Sequence, residues 1–163
     1  MEGNNPNFLR TRWVDVPFIK VCLADTPQLV IWDDAKHKAV ITLEFRTSVL
    51  GVRLSKSRIV VALLNSIQIF AFSSPPQKLS AFETADNPMG LACLGQEVIA
   101  FPGRSPGQVQ LVELKTGNVS IIPAHSSPLR AMTLSPDGEV LATASEAVCP
   151  PVPVVCVVPV ADL

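Results

Sequence analysis

Cysteine and histidine are the residues of this sequence whose chemistry could hold a metal ion. They are Cys22, Cys93, Cys149 and Cys156, together with His37 and His125. Structural zinc sites use cysteine pairs separated by about two to four residues. Cys149 and Cys156, the closest pair, have six residues between them. We therefore expect no metal site. Cys93 lies in an apolar run and is expected to pack as a small core residue.

Motifs for enzymatic chemistry are not found either. The sequence has no Gly-rich phosphate loop of the G-x-x-x-x-G-K type and no His-Glu-x-x-His zinc motif. Its two histidines lie in different contexts, which leaves little for a nucleophile, a base and an acid acting together. We therefore expect that the chain is not an enzyme and that it uses no cofactor.

Composition and charge exclude further classes of protein. Of 163 residues, 48% are hydrophobic and 17% are charged, and the formal net charge is -1. This length fits roughly one domain, and the chain is too apolar to be disordered. A near-neutral chain lacks the positive charge that broad nucleic-acid binding needs. No stretch reaches the roughly 18 consecutive apolar residues of a transmembrane helix, and the polar N-terminus lacks the apolar core of a signal peptide. We expect a cytoplasmic protein with no transmembrane segment and no nucleic-acid partner.

Short β-rich runs recur along the chain, and helical periodicity is hard to find. The runs are QLVIWDD, AVITLEF, VLGVRL, RIVVALL, SIQIFAF, QVQLVEL, VSIIPA, LRAMTL and EVLATAS. Turn-forming residues separate many of them, at Ser55-Lys56-Ser57, Asn65-Ser66, Thr116-Gly117-Asn118 and Pro136-Asp137-Gly138. Strand-like runs joined by hairpin turns predict an all-β protein.

A repeated pattern indicates the architecture. Leu54, Leu94 and Leu134 lie 40 residues apart, and each is preceded by a strand-like run and followed by a turn and a second apolar run. A period of about 40 residues is typical of a WD-type β-propeller with four strands per blade. The chain holds about three such blades, whereas closed rings have roughly four to eight. We therefore predict an open arc, whose exposed apolar ends would make the isolated chain self-associate.

The blocks that carry these strands resemble the PROPPIN family, seven-bladed propellers of the Atg/WIPI type that bind phosphoinositides in autophagy. The specific blocks are Trp32-Asp33-Asp34, Asn87-Pro88, Phe101-Pro102-Gly103-Arg104 and Ala142-Thr143-Ala144-Ser145-Glu146, with a short NFLRTRW block near the start. The resemblance implies a partial WD-type propeller over residues 28–146, about three of the seven four-stranded blades. Residues 1–27 would form a divergent N-terminal segment, and 147–163 an irregular, disordered Pro/Val-rich tail.

The chain also departs from the family pattern. The stretch VDVPFIKVCLADTP stands where the family has a Gly-rich segment, and no Arg-Arg pair occurs in the chain. In the family, a two-arginine motif supplies the main cations for two lipid headgroups. After Glu146 the sequence AVCPPVPVVCVVPVADL fits no blade, because its prolines would interrupt a central strand. This abrupt change is expected of a truncated product, a splice form or a gene-model error.

By the resemblance, two residues would contact a phosphoinositide headgroup. They are His125 and Ser145, which match a family histidine and serine that help to hold the first headgroup. A ring N–H and a hydroxyl can each donate one hydrogen bond to a phosphate, but arginine supplies most of the binding energy at such sites. The alternative for His125 is a structural hydrogen bond before a blade's inner strand, which is common in WD-type repeats. Ser145 also has a structural alternative.

Other polar residues have a structural interpretation beside a functional one. The locally basic positions are Lys36, His37, Lys38, Arg46, Arg53, Lys56 and Arg58, which would attract an anionic membrane or occupy solvated loops and strand edges. Arg104, in the loop PGRSPG, is expected to hold a turn through backbone carbonyls rather than to bind a ligand. Trp32 is expected to pack within a blade.

The resemblance implies an autophagy scaffold that is recruited to membranes carrying phosphatidylinositol 3-phosphate or the 3,5-bisphosphate during autophagosome formation. Such a protein would be cytoplasmic, with peripheral association to preautophagosomal, endosomal or vacuolar membranes, and autophagy proteins would be its partners. Because the arginine pair is missing, we expect impaired lipid binding. The alternatives are a protein–protein scaffold without lipid binding and a non-functional truncated product.

Overall fold

The computed structural model of the chain describes residues 19–23, 27–146 and 153–160, and no α-helix occurs in these ranges. The strands are β1 (Ile19–Leu23), β2 (Gln28–Asp33), β3 (Lys38–Glu44), β4 (Gly51–Leu54), β5 (Arg58–Ala62), β6 (Ser66–Ala71), β7 (Lys78–Glu83), β8 (Cys93–Leu94), β9 (Val98–Pro102), β10 (Gln108–Glu113), β11 (Val119–Pro123), β12 (Leu129–Leu134), β13 (Val140–Glu146) and β14 (Pro153–Pro159). The all-β prediction is confirmed.

The strands form four antiparallel sheets that follow one another along the chain. The sheets β4–β7 and β8–β11 have four strands each, while β1–β3 and β12–β14 have three strands within the described residues. Every strand pairs with its neighbour in sequence, which is the meander of a propeller blade. The first strands of the last three sheets, β4, β8 and β12, approach one another. The 40-residue repeat therefore marks the ends of the adjoining first strands, at Leu54, Leu94 and Leu134.

Hairpin turns lie where turn-forming residues predicted them. In the β4–β5 turn, the backbone N–H of Ser55 donates to the carbonyl oxygen of Arg58 at 2.9 Å. In the β12–β13 turn, the N–H of Gly138 donates to the carbonyl oxygen of Ser135, also at 2.9 Å. Gly138 has a φ of 82°, which glycine adopts without the penalty that a Cβ would bring. Turn chemistry therefore sets the strand ends in this chain.

Buried side chains form three clusters, and each cluster fills the space between two neighbouring sheets. The first cluster comprises Leu29, Ile31, Ile41, Val52, Ile59, Val61, Leu63 and Phe70. The second comprises Val60, Ala62, Ile67, Ile69, Ala92, Ile99, Phe101 and Val112. The third comprises Cys93, Val98, Ala100, Val109, Leu111, Ile122 and Leu141. The sheets are thus stacked face to face in chain order.

Strand β5 shows how one run of residues serves two clusters. Ile59 and Val61 belong to the first cluster, whereas Val60 and Ala62 belong to the second. Successive side chains of a strand point to opposite faces, so a continuous apolar run is buried on both sides. The run RIVVALL therefore has no polar alternation, because neither face of strand β5 meets water.

Two strands lie in segments that the sequence analysis placed outside the propeller. β1 pairs with β2 over five residues, so the first sheet extends into the 1–27 segment. β14 pairs with β13 from Pro153 to Pro159, which corrects the expectation that the tail is irregular and fits no blade. Pro153 and Pro159 are the end residues of a strand at the edge of its sheet, where proline costs no ladder hydrogen bond. The NFLRTRW block, Cys149 and the rest of both terminal segments lie outside the described residues.

Cys93 lies in the third cluster and is 8% exposed, as expected of a core cysteine. Burial raises the pKa of its thiol to about 11, against smaller opposing effects of the Arg53 charge and of a backbone hydrogen bond at Leu134. Cys156, on β14, is a free cysteine and half-buried. Because the thiolate is the reactive form, the two cysteines should differ in reactivity.

We predict that iodoacetamide at pH 8 modifies Cys93 at least about a hundredfold more slowly than Cys156, since a thiol with so high a pKa is almost fully protonated there. The measurement is time-resolved peptide mass spectrometry on the chain carrying Cys22→Ser and Cys149→Ser. In guanidinium chloride the two rates should become equal. Rapid modification of Cys93 in the folded chain would contradict its buried position.

Candidate functional site

His125 lies in the loop between β11 and β12, where two hydrogen bonds hold it. Its backbone N–H donates to the carbonyl oxygen of Gly107 at 3.0 Å. Its ring Nε2 lies 2.9 Å from Oγ1 of Thr143, on β13. Thr143 is buried, and its hydroxyl also makes a long contact of 3.5 Å with the carbonyl oxygen of Cys156. The histidine thus connects a loop to two strands of the last sheet.

Ser145 lies on β13, two residues beyond Thr143 and on the same face of the strand. Its register partners are Leu129 on β12 and Val154 on β14, and it is 3% exposed. The structure therefore places both predicted headgroup residues along one face of β13. It also places Ser145 below the surface, where an incoming phosphate has no direct access.

Arg130 lies near the end of β13, and a carboxylate accompanies it. Arg130 Nη2 lies 3.4 Å from Oε2 of Glu146, with both side chains more than half exposed. The hydroxyl of Ser127 donates to the carbonyl oxygen of Glu146 at 2.6 Å and ties the His125 loop to the same strand end. Positive charge at this end is therefore largely offset by Glu146, which disfavours a bound phosphate.

The loop PGRSPG between β9 and β10 contains the letters of one catalytic motif, G-x-S-x-G, which corrects the expectation that the sequence has no such motif. Residues 103–107 read Gly-Arg-Ser-Pro-Gly and match the letters of a nucleophile elbow. Such an elbow joins a strand to a helix, whereas here strand β10 follows. Arg104 in this loop lies 3.9 Å from the exposed carboxylate of Glu83, so a weak surface ion pair takes the place of the expected carbonyl contacts. The loop is a shaped hairpin connection.

The locally basic positions between residues 36 and 58 do not share one role. Arg53 and Arg58 are half-buried and donate to backbone carbonyl oxygens, of Val52 at 2.9 Å and of Leu114 at 3.4 Å. Lys36 pairs with Asp33 at 3.2 Å. Partial desolvation raises the pKa of Asp33, but the amide and ammonium of Lys36 and the amide of Ala35 outweigh it, so the pKa is lowered. These contacts favour the structural interpretation of the basic stretch.

The side chain of Trp32 is more exposed than the expected packing within a blade implies. It stands at the bulge between β2 and β3, opposite Ala39, and is 36% exposed. The Trp-Asp pair is therefore partly at the surface. Its aspartate has the clearer structural role, because Oδ1 of Asp33 accepts hydrogen bonds from the backbone N–H groups of Ala35 at 3.0 Å and of Lys36 at 3.1 Å.

In the part of the chain that the structure describes, no group of three or more His, Cys, Asp or Glu residues has a geometry that could hold a metal ion. No helix there has the length and apolarity needed to cross a bilayer.

Similar proteins identify the type of propeller. The chain is 87% identical over 120 residues to the SVP1-like protein 2 of Emericella nidulans, a match that covers 74% of this chain and 38% of that protein. It is 36% identical over 122 residues to the autophagy-related protein 18e of Arabidopsis thaliana, covering 72% of this chain and 32% of the relative. The chain thus spans about a third of the length of these curated relatives. No family model matches the sequence.

Solved structures agree on the fold. The structure of Kluyveromyces lactis Hsv2p superposes with a TM-score of 0.73 at 23% identity, over 87% of this chain and 45% of that one. KlAtg21, solved in complex with the coiled coil of AgAtg16, superposes with a TM-score of 0.69 at 16% identity, over 80% of this chain and 46% of that one. The chain belongs to the PROPPIN family. Its four sheets are part of a PROPPIN propeller, as the sequence resemblance predicted.

The two residues that hold His125 in place, Thr143 and Gly107, were not predicted from the sequence. The glycine had a recognisable signal, because glycine is the residue that allows two backbones to approach closely. The sequence contains no comparable signal for the contact with Thr143. A Cβ on Gly107 would lie 2.0 Å from the carbonyl oxygen of His125.

We predict that Gly107→Ala destabilises the chain by at least about 2 kcal/mol more than Gly117→Ala, because the added Cβ forces two backbone segments apart. Gly117 is the matched control, since both glycines have a positive φ but nothing lies within 4 Å of a Cβ at Gly117. The measurement is urea unfolding followed by circular dichroism. Equal losses of stability in the two variants would show that the loop moves to accommodate the Cβ at position 107 without a loss of free energy of unfolding.

We predict that Thr143→Val lowers the free energy of unfolding by about 1–2 kcal/mol, because it removes the hydroxyl from the His125 ring at nearly constant volume. Thr133→Val, on the exposed face of β12, is the control and should change stability little. Urea unfolding of both variants tests this. A loss at Thr133 as large as at Thr143 would mean that β-propensity, and not the histidine contact, decides the result.

Proposed function

We propose that this chain acts in autophagy as a PROPPIN-type scaffold segment that reaches membranes through protein partners. Preautophagosomal, endosomal and vacuolar membranes are the sites we propose for it. In this proposal the chain does not carry a complete phosphoinositide site of its own. Because the chain covers less than half of its relatives, the proposal concerns the 163-residue chain alone.

The observation that carries the proposal is the state of the two predicted headgroup residues. Nε2 of His125 is already hydrogen-bonded to Thr143, and Ser145 is buried between β12 and β14. A headgroup would have to break the first contact and expose the buried side chain of the second residue. Both steps cost free energy that a single histidine and a single serine would not recover, since neither carries the double hydrogen bonds of arginine.

The distribution of charge supports the same proposal. Several exposed cations stand beside carboxylates, among them Arg130 beside Glu146 and Arg104 beside Glu83. Such pairs contribute little to stability, but they reduce the positive field that would attract an anionic lipid surface. The sequence contains no Arg-Arg pair that could restore this field.

A coiled-coil protein is the partner class that we propose to test first. The related propeller KlAtg21 was solved with the coiled coil of AgAtg16 bound. An α-helical coiled coil presents charged side chains along its flanks, and the exposed mixed charges of this chain suit that kind of surface.

The second candidate function is headgroup binding through His125 and Ser145. It is supported by the position of the His125 ring, which contacts Thr143 on the same face of β13 as Ser145. Phosphatidylinositol 3-phosphate and the 3,5-bisphosphate are the ligands this candidate predicts.

Liposome sedimentation separates the two candidates. We predict that micromolar chain does not sediment with liposomes carrying either 3-phosphorylated inositide above the level seen with phosphatidylcholine alone. The physical reason is the loss of two arginine forks, whose charged hydrogen bonds contribute about 1.5–3 kcal/mol each. The same liposomes bearing a tethered Atg16-type coiled coil should recruit the chain.

The controls use His125→Ala and Ser145→Ala in the folded chain. Under the scaffold proposal neither substitution changes sedimentation with either kind of liposome. Saturable binding to the inositide liposomes that both substitutions abolish would overturn the proposal and establish the headgroup site.

A further inference from the structure

The outer edge of β14 is the feature of this chain with the clearest capacity to bind something. β14 is the last strand of its sheet and pairs only with β13 within the described residues. Val155 and Val157 are 65% and 60% exposed. The strand carries no charged residue, so it lacks the lysines with which natural edge strands block further pairing, and prolines, which also block pairing, stand only at its two ends.

The hydrogen-bonding groups of β14 can be assigned to its two sides. The N–H of Val160 donates to the carbonyl oxygen of Glu139 at 2.7 Å. The same register places Cys156 opposite Thr143. Peptide groups of a strand alternate in direction, so the even-numbered residues of β14 face β13. The odd-numbered residues, including Val155 and Val157, direct their N–H and C=O groups to the free edge.

The sequence of β14 makes this edge complementary to itself. Pro153 to Pro159 reads Pro-Val-Val-Cys-Val-Val-Pro, which is the same in both directions. In an antiparallel pair of two such strands centred on Cys156, Val155 stands opposite Val157 of the other copy, and each donates to the other's carbonyl oxygen. At both ends Pro153 stands opposite Pro159 of the other copy. Because proline has no N–H, these pairs add no hydrogen bond, and the pairing depends on the bonds between Val155 and Val157. A neutral strand meets no like charge in this pairing.

We propose that β14 is a homodimerisation strand: it pairs antiparallel with β14 of a second copy of this chain, centred on Cys156, and joins two sheets into one. The interface is isologous, as a two-fold axis requires. The two Cys156 residues form a non-hydrogen-bonded pair on this axis. Their Cα atoms are then about 4.5 Å apart, which is within the range of roughly 4.4–6.8 Å that a disulfide spans.

A charge-pairing experiment tests the register. In the variant V155K/V157K, each lysine stands opposite a lysine of the other copy, whereas in V155K/V157E each lysine stands opposite a glutamate. We expect a wild-type dimer of twice 17.5 kDa by size-exclusion chromatography with light scattering. The dimer dissociation constant of V155K/V157K should exceed that of V155K/V157E at least about tenfold, because like charges directly opposite repel.

A control variant and a cross-linking experiment complete the test. Ile121→Lys is the matched control, because Ile121 is 60% exposed on β11, another edge strand, and the dimer should persist in this variant. Diamide treatment of the chain carrying Cys22→Ser and Cys149→Ser should give a covalent dimer. Two Cys156 thiols lose their hydrogens to diamide, which is reduced to the hydrazine, and one S–S bond forms. The diamide experiment tests the pairing of the two β14 strands even where a lysine variant fails to fold.

Four outcomes would overturn the proposal. A wild-type monomer at about 100 μM is one. Equal dissociation constants for the two charge variants would show that Val155 does not meet Val157 across the interface. Dissociation by Ile121→Lys, or a covalent dimer that survives Cys156→Ser, would place the contact elsewhere on the chain.

Discussion

The stack of sheets depends on strands that are buried on both faces. In β9 every residue is buried, and in β5 only Arg58, at the start, is not. A sheet that contains such a strand is not stable alone, because one of its apolar faces would meet water. Each sheet therefore needs a neighbour, and the three interfacial clusters show that the neighbour is the next sheet along the chain. The side chains of β5 and β9 thus hold the arc together, while backbone hydrogen bonds hold each sheet.

This constraint also explains which strands could be predicted from the sequence. The interior strands are continuous apolar runs between turn residues, and RIVVALL was recognised for that reason. The edge strand β7 (Lys78–Glu83) was missed, because its sequence KLSAFE has no β-branched residue and its side chains are exposed or at most half-buried. β14 was missed for the opposite reason: its Val-rich run was noticed, but its prolines were judged against the rule for a central strand. At the edge of a sheet that rule does not apply.

The candidate site could be predicted only in part from the sequence. Thr143 and Ser145 are both hydroxyl residues on one face of β13, and the sequence alone does not say which one His125 contacts. In the structure the His125 ring lies 2.9 Å from the Thr143 hydroxyl, whereas Ser145 is buried. The family resemblance named His125 and Ser145 as separate headgroup residues. The contact with Thr143 depends on where the loop between β11 and β12 places the ring, which short sequence blocks do not encode.

The candidate site and the free edge of β14 belong to one small sheet, and this connects their energetics. One side of β14 pairs with β13 and accepts a long contact from the hydroxyl of Thr143, while the other side presents the peptide groups of Val155 and Val157. A strand added at that edge would stabilise β14 on β13 and, through Thr143, the His125 loop. A ligand that draws His125 away from Thr143 would weaken the same contacts. Because coupling between two binding events is reciprocal, occupation of the edge and displacement of His125 oppose one another. In this sheet the geometry that favours association through a strand is the geometry that keeps the histidine from a headgroup.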